Sequence, residues 1–432
     1  MCQISQFLDR ELNPGLSGES AISCHLDYRG QKKQKEQKHK EKEGIIICAG
    51  GEKYLSELVV LLTALNKDNC KYPIVICHAD NEITNFQKEF ILSNFNNKND
   101  NKNENKNISF LNLDDKIRED IELNNIIQEI NDKNSNKFTL RGWHIKQFAL
   151  YFSPFEKTII LDTDIIPINN VNNYFNDYLN ERTDFFIFSD YWRHYKRNTK
   201  EYCMTDHLRP VKDRQDIQSW IIYNWTGSFP FNELEGESGV IIFNNEKNKH
   251  QKVLDLLLVY ALYNPILNNY FYGDKDIYKL AFDKIYGCNN TEKNKNNRFR
   301  QSQYYPGAIA SKDKDIKGMV QWKNEKEPNH LHFTLKPISG TNSASLLSID
   351  NYYICKLDDT KNNIAKVVVE NDNYAINEHT YNLDTNSYKS LKFTFTENPV
   401  LIYEFPSEKY DVLVEAFEKS RELYLKGLFF NF

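Results

Sequence analysis

The chain has 432 residues, of which 40% are hydrophobic and 13% aromatic, enough for a large globular core. Its formal net charge of −5 leaves no basic footprint for nucleic acid or an anionic membrane surface, which excludes polyanion binding as its main role. The eight cysteines are scattered without a CxxC pair, so neither a zinc ribbon nor a disulfide framework is indicated, and Cys48 and Cys77 read as small core residues inside apolar runs.

Residues 1–43 form a poorly patterned leader that ends in the charged run "QKKQKEQKHKEKE" (31–43), too polar to bury anything. The leader has no basic region followed by an apolar one, and no run of about 18 apolar residues occurs anywhere, so the chain as written is expected in the cytoplasm without a membrane anchor. From Gly44 the order is apolar run, glycine pair, amphipathic segment, apolar run: "GIIICAGG", "KYLSELVVLLTALNK", "YPIVICHAD". That is a strand–helix–strand unit of a parallel sheet with a right-handed crossover. The run "NNKNDNKNENKN" (96–107) is expected to be an inserted loop, since structured segments flank it.

"ISFLNL" predicts a strand, "RGWHIKQFALYFSPF" a helix stopped by Pro154, and "TIILDTD" a further strand. "DFFIFSD" (184–190) is expected as a strand, followed by an irregular stretch to about residue 233. The strand "GESGVIIFN" (236–244) then leads into the helix "QKVLDLLLVYALYN", and a second helix opens at "GDKDIYKLAF". "GMVQWKNEKEPNHLHFTLKP" predicts a hairpin or a paired strand, residues 346–404 alternate like antiparallel strands, and 407–427 read as a closing helix. The expected division is therefore a leader (1–43), a main α/β unit (44–345) and a β-rich extension (346–432).

The chemistry concentrates in "KTIILDTDIIPI" (157–168), where an apolar strand ends in Asp162 and Asp164. An unpaired carboxylate in an apolar surround costs several kcal/mol, so a cation is expected beside them. At the carboxyl end of a parallel strand, carboxylates at i and i+2 can hold one divalent cation, which in turn can bridge a diphosphate; the plainer alternative is a pair that caps the next turn. The other such pairs, Asp274/Asp276 and Asp313/Asp315, differ in context, and the lysines around "SKDKDIKG" make the latter a solvated turn. Lys146 lies one position off the apolar face of its helix, placed either to reach over the sheet edge or to face solvent. Asp274 could equally be a helix N-cap, and Glu237 a buried structural carboxylate.

Taken together, "GIIICAGGEKYL", "HIKQFALYFSPFEKTIILDTDIIPI", "DYW", "ESGVIIFN", "GDKDIYKLAF" and "GMVQW…HLHFTLKP" resemble the nucleotide-sugar glycosyltransferases of the GT-A fold, most of all the fungal-type α-mannosyltransferases that include α-1,3-mannosyltransferases. The resemblance covers roughly residues 44–340. It implies an α/β fold with a mainly parallel central sheet. It also implies metal-dependent, retaining transfer of a hexose, mannose from GDP-mannose, to a glycan or glycoconjugate hydroxyl. A UDP-sugar enzyme of the glycogenin-like branch, a non-catalytic sugar-binding module and a haloacid-dehalogenase-like phosphohydrolase are the alternatives.

Carried onto this sequence, the resemblance assigns Mn2+ or Mg2+ to Asp162, Asp164 and His332, with His330 as the competing histidine. The base and ribose fall to Ala49, Gly50, Gly51 and Tyr54. Donor contacts are expected from Lys146, Asp162, Thr163 and Asp190, and from Ser238, Gly239, Lys275 and Lys336. Glu237, Asp274 and Asp276 are the expected catalytic carboxylates, as nucleophile or as steadying charge at the anomeric carbon. Fungal members are typically Golgi proteins with an amino-terminal anchor, and this leader departs from that pattern.

Overall fold

The computed structural model describes residues 41–96, 108–133, 137–193, 234–262, 274–287, 297–311 and 315–333, four short strands between 352 and 403, and the helical positions Glu415 and Glu418. The leader to residue 40, the loop 97–107, the stretch 194–233, Lys336 and most of the expected closing helix lie outside the described residues.

In chain order, β1 (Glu41–Cys48) leads through the glycine pair into α1 (Gly51–Lys67) and β2 (Ile74–His78). Next come α2 (Asn85–Phe95), β3 (Ile108–Asn112), α3 (Leu113–Glu119) and α4 (Ile121–Lys133). The short α5 (Ile145–Tyr151) precedes β4 (Phe155–Leu161), and β5 (Ile165–Pro167) follows after only three residues. Then follow α6 (Tyr174–Tyr178), β6 (Phe185–Arg193), β7 (Leu234–Asn244), α7 (Gln251–Leu262) and α8 (Ile277–Tyr286). The remaining strands are β8 (Phe299–Gln301), β9 (Gly307–Ser311), β10 (Asp315–Trp322) and β11 (Pro328–His332). Finally come β12 (Tyr352–Lys356), β13 (Ile364–Val369), β14 (Leu391–Phe395) and β15 (Leu401–Tyr403).

The central sheet has the order β3-β2-β1-β4-β7-β6-β8. Its first four strands run parallel, as the strand–helix–strand pattern predicts. β7 runs antiparallel to both β4 and β6, so the sheet is mixed though mainly parallel. Successive side chains of a strand point to opposite faces, which splits the apolar residues of β1 and β4 between two cores. Ile45, Ile47, Ile159 and Leu161 pack with α1, α2 and α6, while Ile46 and Ile160 pack with α3, α4, α5, α7 and α8. The result is a three-layer α/β/α body.

The charged run was expected to separate the leader from the fold up to residue 43, but Glu41 and Glu43 already pair with Phe155 and Lys157 of β4. Lys157 also reaches Glu43 Oε1 at 2.8 Å, which explains how a polar segment joins an edge of the sheet. The expected β10–β11 hairpin is present. A second sheet runs β13-β14-β10-β9-β12-β15, and β11 links it to β5. The expected boundary at residue 345 is thus bridged by pairing, since β12 lies on β9 and β14 on β10. Among the described residues no helix is long and apolar enough to cross a membrane.

Candidate active site

The site forms at the carboxyl edge of β4, and the direction of β7 explains much of it. Because β7 is antiparallel, its first half lies beside the end of β4, and the Asp162 N–H donates to the Gly239 carbonyl at 2.8 Å. The chain then turns, with the Ile165 N–H donating to the Asp162 carbonyl at 3.2 Å, and enters β5. β5 pairs with β11 in the register that sets His332 opposite Ile165. Ligand atoms of Asp162, Asp164 and His332 therefore come within 4.8 Å of one another.

Lys146 is the cation expected beside the carboxylates. Its Nζ donates to Asp162 Oδ2 at 2.7 Å and to the Ser238 carbonyl at 3.0 Å, with Asp274 Oδ2 at 3.8 Å. Burial alone would lower the ammonium pKa, but Asp162 and Asp274 reverse that and hold it well above its usual value. The side chain is buried, not reaching outward over the sheet edge. For Asp162, burial together with Asp164 pushes the carboxyl up to about 7, against the pull of Lys146 and His332.

His332 stands between two carboxylates, with Nε2 at 3.2 Å from Asp164 Oδ1 and Nδ1 at 3.0 Å from Glu237 Oε1. Burial would lower its pKa, yet Asp164 and Glu237 raise it well above the ordinary imidazole value. Burial would raise the Glu237 carboxyl, but His332, His330 and the Gly239 N–H bring it down to about 2. His330 is fully buried, stacks edge-on against Phe188 at 4.7 Å, and is pushed down to about 3, so it is a neutral core residue. The choice between the two histidines, open in the sequence, falls to His332 by register.

The glycine turn is built as its residues require. Gly51 has φ +78, a conformation that L side chains rarely adopt, and a Cβ on Gly50 would lie 2.2 Å from Glu82 Oε2. Ala49 is buried beneath this turn and Tyr54 is exposed on the first turn of α1. Thr163 is buried and its hydroxyl donates to Glu57 Oε2 of α1 at 2.7 Å.

The segment before α8 is locked from below. Asp274 accepts from the Ser238 hydroxyl at 2.8 Å and from the Tyr278 hydroxyl at 2.7 Å. It is not the N-cap, since Asp276 occupies that position, and Asp276 Oδ1 accepts from the Gly236 N–H at 3.1 Å. Lys275 sits 2.6 Å from both Asp190 and Glu235, and these carboxylates with Asp276 outweigh burial and hold it well above its usual pKa. Burial raises the Asp190 carboxyl in turn. Asp274, Lys275 and Asp276 therefore fasten the start of α8 to β6 and β7, with most of their polar atoms already engaged.

Sequence reasoning missed Glu57, Glu235 and Tyr278. Tyr278 carried a usable signal, because it follows Asp274 at the i, i+4 spacing of a helix. Glu57 was also visible as a lone carboxylate within the apolar face of α1.

An α/β body with a mainly parallel central sheet is what the resemblance implied, and Asp162, Asp164 and His332 stand together at its carboxyl edge. The chain belongs to the family described as "Mannosyltransferase putative", whose pattern it matches over residues 42–332. It is 24% identical over 278 residues to the α-1,2-mannosyltransferase MNN2 of Candida albicans, covering 56% of this chain and 40% of that protein. To MNN2 of Saccharomyces cerevisiae it is 24% identical over 248 residues, covering 50% and 39%. The chain thus spans less than half the length of these curated relatives. The solved mannosyltransferase Ktr4p of S. cerevisiae is a distant likeness, with TM-score 0.31 and 13% identity over 64% of this chain and 80% of its own.

Proposed function

We propose that this chain is a metal-dependent glycosyltransferase that moves a hexose from a nucleoside diphosphate donor, mannose from GDP-mannose, to a glycan or glycoconjugate hydroxyl with retention at the anomeric carbon. The observation that carries the reading is the convergence of Asp162, Asp164 and His332 at the carboxyl edge of a sheet in a chain of the mannosyltransferase family. Ligands of α/β sheets bind at that edge. Two carboxylates and one imidazole without thiolates suit Mn2+ or Mg2+ better than zinc. Burial, and after it the neighbouring Asp164, push the Asp162 carboxyl up to about 7, and a cation beside it would relieve both.

Bound there, such an ion supplies neutralising charge for the departing diphosphate. The chain's own groups prepare the place for it. Lys146 holds Oδ2 of Asp162 and so fixes the orientation of that carboxylate. β11 sets the His332 ring beside Asp164. The glycine turn after β1 leaves backbone open for the nucleoside. GDP, mannose and retention rest on the family resemblance.

A thermal-shift panel of GDP-, UDP- and CMP-sugars with and without Mn2+ tests the reading, because a ligand of the native state raises stability by RT ln(1 + [L]/Kd). GDP-mannose with Mn2+ is expected to give the largest rise in Tm. Stabilisation by UDP-glucose or UDP-galactose alone moves the assignment to the glycogenin-like branch. No rise with any nucleotide sugar overturns it.

A further inference from the structure

The geometry points to Glu237 as a positioning residue for the metal-ligating imidazole, and not as a group that attacks or steadies the sugar. This inference rests on the metal site proposed above. His332 directs Nε2 toward Asp164, at 3.2 Å from Oδ1, and Nδ1 toward Glu237, at 3.0 Å from Oε1. An imidazole that offers Nε2 to a cation carries its proton on Nδ1, and a carboxylate behind that nitrogen fixes both the tautomer and the ring plane. Among the described residues Nδ1 makes no aligned hydrogen bond, and Glu237 Oε1 at 3.0 Å is the carboxylate oxygen it faces.

Glu237 is itself held for this task. Its Oε1 accepts the Gly239 N–H at 2.6 Å, which anchors the carboxylate to its own strand two residues on. Gly239 makes room for the meeting, because a Cβ there would stand 2.8 Å from Glu237 Oε1 and 2.9 Å from His332 Cε1. A nucleophile needs an oxygen within about 3–3.5 Å of the anomeric carbon. Oε1 accepts the Gly239 N–H and faces His332 Nδ1, and Oε2 is buried without a hydrogen bond. The side chain as a whole is buried.

The test is Mn2+ binding measured by isothermal titration calorimetry without donor, on wild type, Glu237→Gln and Glu237→Ala, followed by transfer rate against Mn2+ concentration. Loss of an outer carboxylate of this kind weakens metal affinity about 10–100-fold. Glu237→Ala is expected in that range, Glu237→Gln is expected to weaken binding less, and transfer by both should recover at saturating Mn2+. Should Glu237→Ala fail to fold, the isosteric Glu237→Gln decides alone. Wild-type Mn2+ affinity in the variants, with transfer lost at every Mn2+ concentration, overturns the inference and makes Glu237 a sugar-facing catalytic group. A wild type that binds no Mn2+ instead overturns the metal site from which the inference starts.

Discussion

A buried carboxylate and a cluster of four carboxylates lie at opposite ends of the same strands, and they are satisfied in different ways. At the amino edge of β4, where β7 ends and β6 begins, Asp184 accepts from Lys249 at 2.7 Å, from His250 at 3.1 Å and from Arg298 at 3.2 Å. Burial would raise this carboxyl, but His250 and Lys249 lower it below its ordinary value. At the carboxyl edge, Asp162, Asp164, Glu237 and Asp274 share Lys146 and His332. There carboxylates outnumber cations, and burial together with Asp164 pushes Asp162 up to about 7. A cluster whose charges are already matched by protein groups holds the fold together. A cluster left with more carboxylates than cations is where the proposed metal would add the missing charge.

The comparison breaks first at Asp164. Its side chain is a quarter exposed and its polar contact is His332, so Asp164→Ala should cut transfer by about a thousandfold or more while shifting Tm little. Turnover within tenfold of wild type would remove the carboxylate from the metal site. Asp162→Ala makes the sharper contrast: it should lose transfer too, and it should also destabilise, because Lys146 is left buried with less compensation.

Next in size is the difference between the two histidines. His332→Ala should raise the Mn2+ concentration needed for half-maximal transfer about tenfold or more, with the fold retained. His330→Ala should leave that requirement nearly unchanged but lower Tm, since it opens a cavity against Phe188. Reversed effects would place the ligand at His330.

At the amino edge the expected effects are on stability. Asp184→Asn should cost about 1–2 kcal/mol near neutral pH, an amount reduced by the solvent around Lys249 and Arg298. The Asp184 pKa is depressed in the folded state, so its stabilisation is complete above the unfolded carboxylate value of about 4 and disappears as pH falls through the lower folded value. Denaturation by urea at several pH values should therefore show the variant and wild type converging in acid, and a constant difference would refute the ion-pair account. The smallest effect belongs to Glu43→Gln, which removes a pair with Lys157 that is one-third exposed and should cost about 0.5 kcal/mol or less.

Much of this was legible along the chain. Apolar runs of strand length and a helix-period segment between them specified β1, α1 and β2, because side-chain periodicity is a local property. The positive φ of Gly51 accounts for the glycine there by the same local logic. The site was legible where strand and chemistry coincide, in Asp162 and Asp164 at an apolar strand end. It was less so where burial changes a residue's meaning. Lys146 could have reached over the sheet edge or faced solvent and is packed under Asp162, and the Thr163 hydroxyl is taken up by Glu57.

The sequence by itself determined the α/β class, the place of the carboxylate pair and the need for a cation near it, since each follows from neighbours close along the chain. Only the tertiary structure decided that β7 runs against β4, which carries Glu237, Ser238 and Gly239 to the edge where Asp162 stands. It alone decided that β11 adds to β5 in the register that selects His332 over His330. Strand direction and register depend on residues more than 70 positions apart, and a shift of one residue would turn every side chain to the opposite face. No local pattern carries that information: His332 was named from the family resemblance, and its contact with Asp164 depends on the strands having met.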